Sequence, residues 1–351
     1  MDKTENIQNT NSIDRLTALW ALSEGFLGGF LHLAKIPLTG LILGNVAVII
    51  ITLIAKFSVK NGTILKATLI VLVVKGILSP YTPFTAYIAV SLQGIFGEFL
   101  FYKRKSPFFS ALLLGILVSF FSSFQKVFFL TVLFGQNIWE SIDQFTLIVF
   151  KEFFGLISSG IAISKWLVAI YAGIHLLAGI LTGLYASALS RRTDSIIKNE
   201  GNKILFDVNS FLEEKNRKSK KPGKKRWWLK PGEIIFFVFT ISLLVYSYLY
   251  PDNIYIEKKS LVIMLVRGIL LMFIWYKFLS PLLLSGFNKL MRKKKNKYTN
   301  EIDKVVSVLP IFKRVINFCW KETSSVKGLK RLHRFFTLSL LNLLTVEINK
   351  E

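Results

Sequence analysis

The chain reads as an all-α, polytopic membrane protein, and four observations predict that class. Apolar residues fill 52% of its 351 positions. Mean hydropathy is +0.49, more apolar sequence than a soluble domain can hide. Apolar windows of about 18 residues or more follow one another, each matched to a bilayer core roughly 30 Å thick. Lys and Arg gather in alternate links between those windows.

The elements follow in order. Spans are expected near 16–34, 39–57, 63–78, 84–102, 108–134 and 163–188, then near 233–250 and 260–280. Lys56 and Lys60 follow the second span, Lys103, Arg104 and Lys105 the fourth, and Arg191 and Arg192 the sixth. The intervening links at 80–84 and 135–143 carry no Lys or Arg, and Lys35 is the one basic residue of the first such link. The positive-inside rule then predicts a cell-membrane protein with both termini in the cytoplasm. Residues 1–15 are polar and lack the pattern of a cleavable signal, so the window from Leu16 is expected to be a retained first span. The segment 144–162 carries Lys151 and Glu152 at its centre. Crossing there would move the basic linker outside, so an interfacial or re-entrant helix is expected instead.

These readings divide the chain into a cytoplasmic amino-terminal tail (1–15), a six-span body (16–188), a basic linker (189–230), a transmembrane hairpin (231–290) and a cytosolic amphipathic helical tail (291–351). In the linker, eight of the twelve residues from Lys215 to Arg226 are basic. Beside membrane spans, such a cluster fits a cytoplasmic face near anionic lipid. The net charge of +24 is thereby explained without nucleic acid, for which no recognition motif is present. In the tail, Ile302, Val305, Val306, Leu309, Phe312, Ile316 and Cys319 form one apolar stripe at helical spacing. Leu329, Leu332, Phe336, Leu340 and Leu343 form another. Two readings stay open: helices lying on the bilayer, or a docking face for a cytosolic partner.

Much chemistry is excluded by motif. No phosphate-binding G-x-x-x-x-G-K-[ST] loop, zinc-protease H-E-x-x-H, C-x-x-C pair or nucleophile elbow occurs. One cysteine permits no internal disulfide, and His32, His175 and His333 are too scattered to hold a metal. No catalytic residue, cofactor or metal is therefore expected.

Polar groups inside the spans are the candidate functional residues, because lipid exposure of such groups is costly. Glu24, Gly28 and His32 stand at i, i+4 and i+8, one face of an α-helix. Lys75 lies toward the outer end of the third span. Gln125 and Lys126 lie about 27 Å along the fifth. Tyr81, Trp166 and His175 belong to the outer half of the body. An outward-facing pocket would use His32, Lys35, Lys75, Tyr81, Gln125, Lys126, Trp166 and His175. Each has a plainer reading: Lys35 snorkels, Trp166 belongs to an aromatic belt, His175 bonds a neighbouring helix, and Glu24 neutralises Lys75. Glu98 lies toward the inside and fits packing or partner contact. Pairs four apart, such as Ala21 with Gly25 and Gly179 with Gly183, let helix backbones approach.

With a cytoplasmic start, six short spans, a first span rich in small residues (Ala18, Ala21, Gly25) and the K-I-P-L-T-G turn at 35–40, the body resembles the substrate-binding S components of energy-coupling factor vitamin transporters. The resemblance covers about half the chain. It implies capture of a vitamin-like micronutrient on the outer side by the lining residues above. It also implies a coupling subunit met by Ala18, Ala21 and Gly25, and separate cytosolic ATPases that energise uptake. The tail around Lys327 and Gly328 faintly resembles a coupling helix of the partner T subunit. Two readings from other classes stand beside uptake: a membrane scaffold or assembly protein, and an intramembrane enzyme using Glu24.

Overall fold

A computed structural model describes residues 3–33, 38–58, 60–78, 84–102, 106–154, 162–200 and 298–345, with scattered positions between 266 and 286. Among them every regular element is helical. Helix α1 (Lys3–Leu22) runs through a π turn, Ser23–Leu27, into α2 (Gly28–Leu33). Then come α3 (Thr39–Phe57), α4 (Thr63–Leu78), α5 (Phe84–Phe101) and α6 (Pro107–Phe134). They are followed by α7 (Asn137–Phe154) and α8 (Ile163–Glu200), and the tail forms α9 (Thr299–Glu322) and α10 (Gly328–Thr345). Three helical stretches are long and apolar enough to cross a membrane: Thr39–Phe57, Pro107–Phe134 and Ile163–Ser195. Helix α4, at 16 residues, is only about 24 Å long. Of the segment 144–162, expected to lie on or re-enter the membrane, residues 144–154 belong to α7 and 155–161 lie outside the described residues. Most of the expected 231–290 hairpin, and the linker beyond Glu200, lie outside the described residues.

The chain forms two compact units. One holds α1 to α5, α6 up to Ser122, α8 from His175, and the tail; the other holds α6 from Ser123, α7 and α8 up to Ile174. In the first unit, Leu16, Ala18, Trp20 and Ala21 of α1 meet a core of Ile51, Leu53 and Ile54 from α3 and Val71 and Val74 from α4. Glycines set the closest approach. A Cβ on Gly183 would lie 2.7 Å from the Leu112 Cα, and Gly115 and Gly179 face each other backbone to backbone. Here α6 and α8 touch through main chain, as small residues permit. The pairing of Gly179 with Gly183 is visible in sequence; the matching Gly115 on α6 is not.

Two features add to the expected division. Residues 3–15, expected as an amino-terminal tail, form the first turns of α1. An isolated polar helix of that length is marginal in water, but this one continues a longer helix and packs against α9 and α10. The apolar stripe of α9 does not face lipid. Ile302, Val305, Leu309, Phe312, Val315 and Cys319 are buried, covered by α1, α4 and α10 of the same chain. Arg15 donates to the Leu344 carbonyl near the end of α10, a favourable place for a cation on a helix dipole. At the other end of the tail, the Lys66 ammonium stands 5.6 Å from the centre of the Tyr298 ring.

Candidate functional site

The most informative polar feature is a buried ion pair. The Lys75 Nζ donates to Glu24 Oε2 at 2.6 Å, and each side chain is 3% exposed. Sequence placed both groups inside apolar runs and offered their pairing as the plainer reading; folding brings them together where the π turn after α1 meets α4. Burying either charge alone costs several kcal/mol, about the range seen when a buried pair loses a partner. Together they neutralise one another.

Local backbone explains how Glu24 reaches its partner. Ser23, Gly25, Gly28 and Gly29 are weak helix formers, and the helix widens there to i→i+5 bonding, with the Gly28 amide donating to the Ser23 carbonyl. The Ser23 hydroxyl donates to the Trp20 carbonyl at 2.8 Å. A Cβ on Gly25 would lie 2.9 Å from Leu78 Cδ1, and one on Gly28 would lie 3.2 Å from Leu43 Cδ1. Both glycines therefore admit side chains from neighbouring helices. The π turn also breaks the strict i, i+4, i+8 alignment of Glu24, Gly28 and His32 that an unbroken α-helix dictates.

Other expected residues fall into distinct places. His175 is buried at 1% exposure on α8. Gln125 is half-buried and Lys126 exposed on α6, and Trp166 is 65% exposed on α8; these three belong to the second unit. His32 stands in α2, and Lys35 and Tyr81 lie outside the described residues. Glu98 caps a helix: its Oε1 accepts from the Gly62 amide at 2.5 Å and its Oε2 from the Ile64 amide at 3.1 Å. These amides open α4, where a carboxylate meets unpaired donors and the positive end of the dipole. Gly62 reaches φ +84° in the turn before it. Ala18, Ala21 and Gly25 are buried among the chain's own helices. Lys327 and Gly328 are exposed at the joint between α9 and α10, with Gly328 at φ +66°.

Sequence reading missed several polar contacts. Lys56, a topology marker in sequence, pairs with Asp194 at 2.8 Å and donates to the Ser190 carbonyl at 2.7 Å. The Ser119 hydroxyl donates to Asn45 Oδ1 at 3.1 Å. Asn45 interrupts an apolar helix, which was the available signal. Gln93, which the sequence places with Glu98 toward the inside, is buried, and its Oε1 has no hydrogen-bond partner among the described residues. In the second unit, Asp143 accepts from the Ser164 amide at 2.6 Å and the Ser164 hydroxyl at 2.9 Å, capping α8 from α7.

The arrangement offers an ammonium for an anion and a carboxylate for a cation. Among the described residues no cluster of His, Cys, Asp and Glu could hold a metal ion. No known protein family, curated protein or solved structure matches the chain.

Proposed function

We propose that the chain is a membrane-embedded capture subunit for uptake of a small organic micronutrient, working in the manner of an S component. The reading includes a six-span body with cytoplasmic termini, and separate ATPases and a coupling subunit that energise transport. Its main support is the Glu24–Lys75 pair at 2.6 Å. Lys75 lies in the last turn of α4, about 4.5 Å along the axis from the helix end. That end leads into the Lys- and Arg-free link assigned to the outside. A carboxylate or phosphate on the nutrient can replace Glu24 as the partner of Lys75, keeping the ammonium paired throughout.

Uptake into membrane vesicles tests the reading. Transport should require ATP and a second protein, and Lys75→Gln should weaken ligand affinity about ten- to a hundredfold, the worth of a charge-assisted hydrogen bond. Transport by the purified chain without nucleotide would overturn it. The exposed Lys327–Gly328 joint favours a second reading, a scaffold that holds partners through its tail. That reading expects no thermal shift with any micronutrient.

A further inference from the structure

The tail hairpin has two unlike faces, and only one is covered. The α9 stripe and the last turns of α10, including Leu341 and Leu343, are buried. Where α9 meets α10 the pattern reverses: Trp320 is 46% exposed, Leu332 44% and Phe336 51%. These apolar groups are held in shape rather than left loose. Trp320 packs edge-on against Phe335 at 5.2 Å, and the Arg331 guanidinium lies 4.1 Å over the Trp320 ring while donating to the Trp320 carbonyl at 3.3 Å. Lys321, Lys327, Lys330 and Arg334 are exposed around them. Residues 320–336 carry five Lys or Arg against the single acid Glu322.

We infer that this hairpin tip is a binding surface for anionic lipid headgroups. Aromatic and aliphatic side chains ringed by lysine and arginine match a charged interface, where the apolar groups enter the acyl boundary and the cations meet phosphates. Charge favours lipid over a soluble partner without net negative charge: the tip carries five cations against one acid. The two ends of the tail are fastened to Arg15 and Lys66. Lys66 is in the first turn of α4, where the apolar stretch begins, so the tail starts at the level of a leaflet surface, and the 24 residues of α9 set the tip about 36 Å along from that end. The inference does not depend on nutrient capture.

The full chain in nanodiscs provides the test. A fluorophore is placed at Phe336→Cys in a Cys319→Ser background, and quenching by spin-labelled lipid is read with and without phosphatidylglycerol. Quenching should be strong in anionic discs and weak in phosphatidylcholine alone, and each of Lys327→Gln, Lys330→Gln and Arg334→Gln should lower the bound fraction about fivefold. The same three changes in the Cys319 chain serve as a folding control. Burial pushes that thiol above its ordinary pKa, so it should resist alkylation while the tail stays docked. Equal quenching in both lipids, or indifference to the charge changes, would overturn the inference. Absence of quenching in either lipid would also overturn it, and would leave the tip to a soluble partner.

Discussion

Helices α3 and α8 are almost equally apolar, yet 61% of the apolar window of α3 is buried inside the protein and only 17% of that of α8. In α3, Ile51, Leu53 and Ile54 have no exposed surface. In α8, Leu167, Ile170, Ile174, Leu177 and Leu181 are all about half exposed. Hydropathy reports that a helix needs a dry environment; it does not report whether protein or lipid supplies it. A charge buried inside the packed unit finds a partner, as Glu24 finds Lys75, because an unpaired charge there has no water to fall back on.

The comparison can be broken most forcefully at the ion pair. Glu24→Ala should cost about 3–5 kcal/mol by leaving Lys75 buried and unpaired, measured by unfolding in mixed micelles. Replacing both, Glu24→Leu with Lys75→Met, should recover most of that loss. Equal losses in the single and double variants would mean that packing, not charge, holds the contact.

The next effect contrasts the two helices directly. Ile51→Ala should cost about 2–5 kcal/mol, since a cavity opens in a packed core. Ile174→Ala, 49% exposed, should cost less than about 1 kcal/mol, because lipid chains fill the space as readily as isoleucine does. Equal costs would show that α8 is covered by protein after all. The smallest effect belongs to the half-buried Glu98. Glu98→Gln keeps the shape but loses the charge at the α4 amino terminus, and should lower thermal stability by about 0.5–1 kcal/mol. An unchanged melting temperature would remove it from the capping role.

The tail carries the lesson in another form. Its apolar stripes were plain in the sequence, but Leu332 and Phe336 are exposed while Leu340 and Leu343, on the same stripe, are buried. Periodicity assigns one face to a whole helix, and α10 is covered over only part of its length. Trp320, outside the α9 stripe, becomes part of the exposed tip through its contacts with Arg331 and Phe335. The candidate site was half legible. Glu24 and Lys75 stood out as charges in apolar runs, whereas the π turn that orients Glu24 was signalled only by Ser23 and its neighbouring glycines.

Sequence by itself determined the helical class, the apolar character of the chain and nearly every boundary of α3 to α6, because those depend on composition and on glycine, proline and charge read locally. It also marked which residues could not rest in lipid. Tertiary structure decided which of them meet: the pairing of residues 24 and 75, the Gly115–Gly179 contact, and the covering of the α9 stripe by a polar amino-terminal helix. The physical reason is that a buried charge or an apolar stripe specifies only that it needs a partner. Which partner satisfies it is a property of helices brought together from distant parts of the chain.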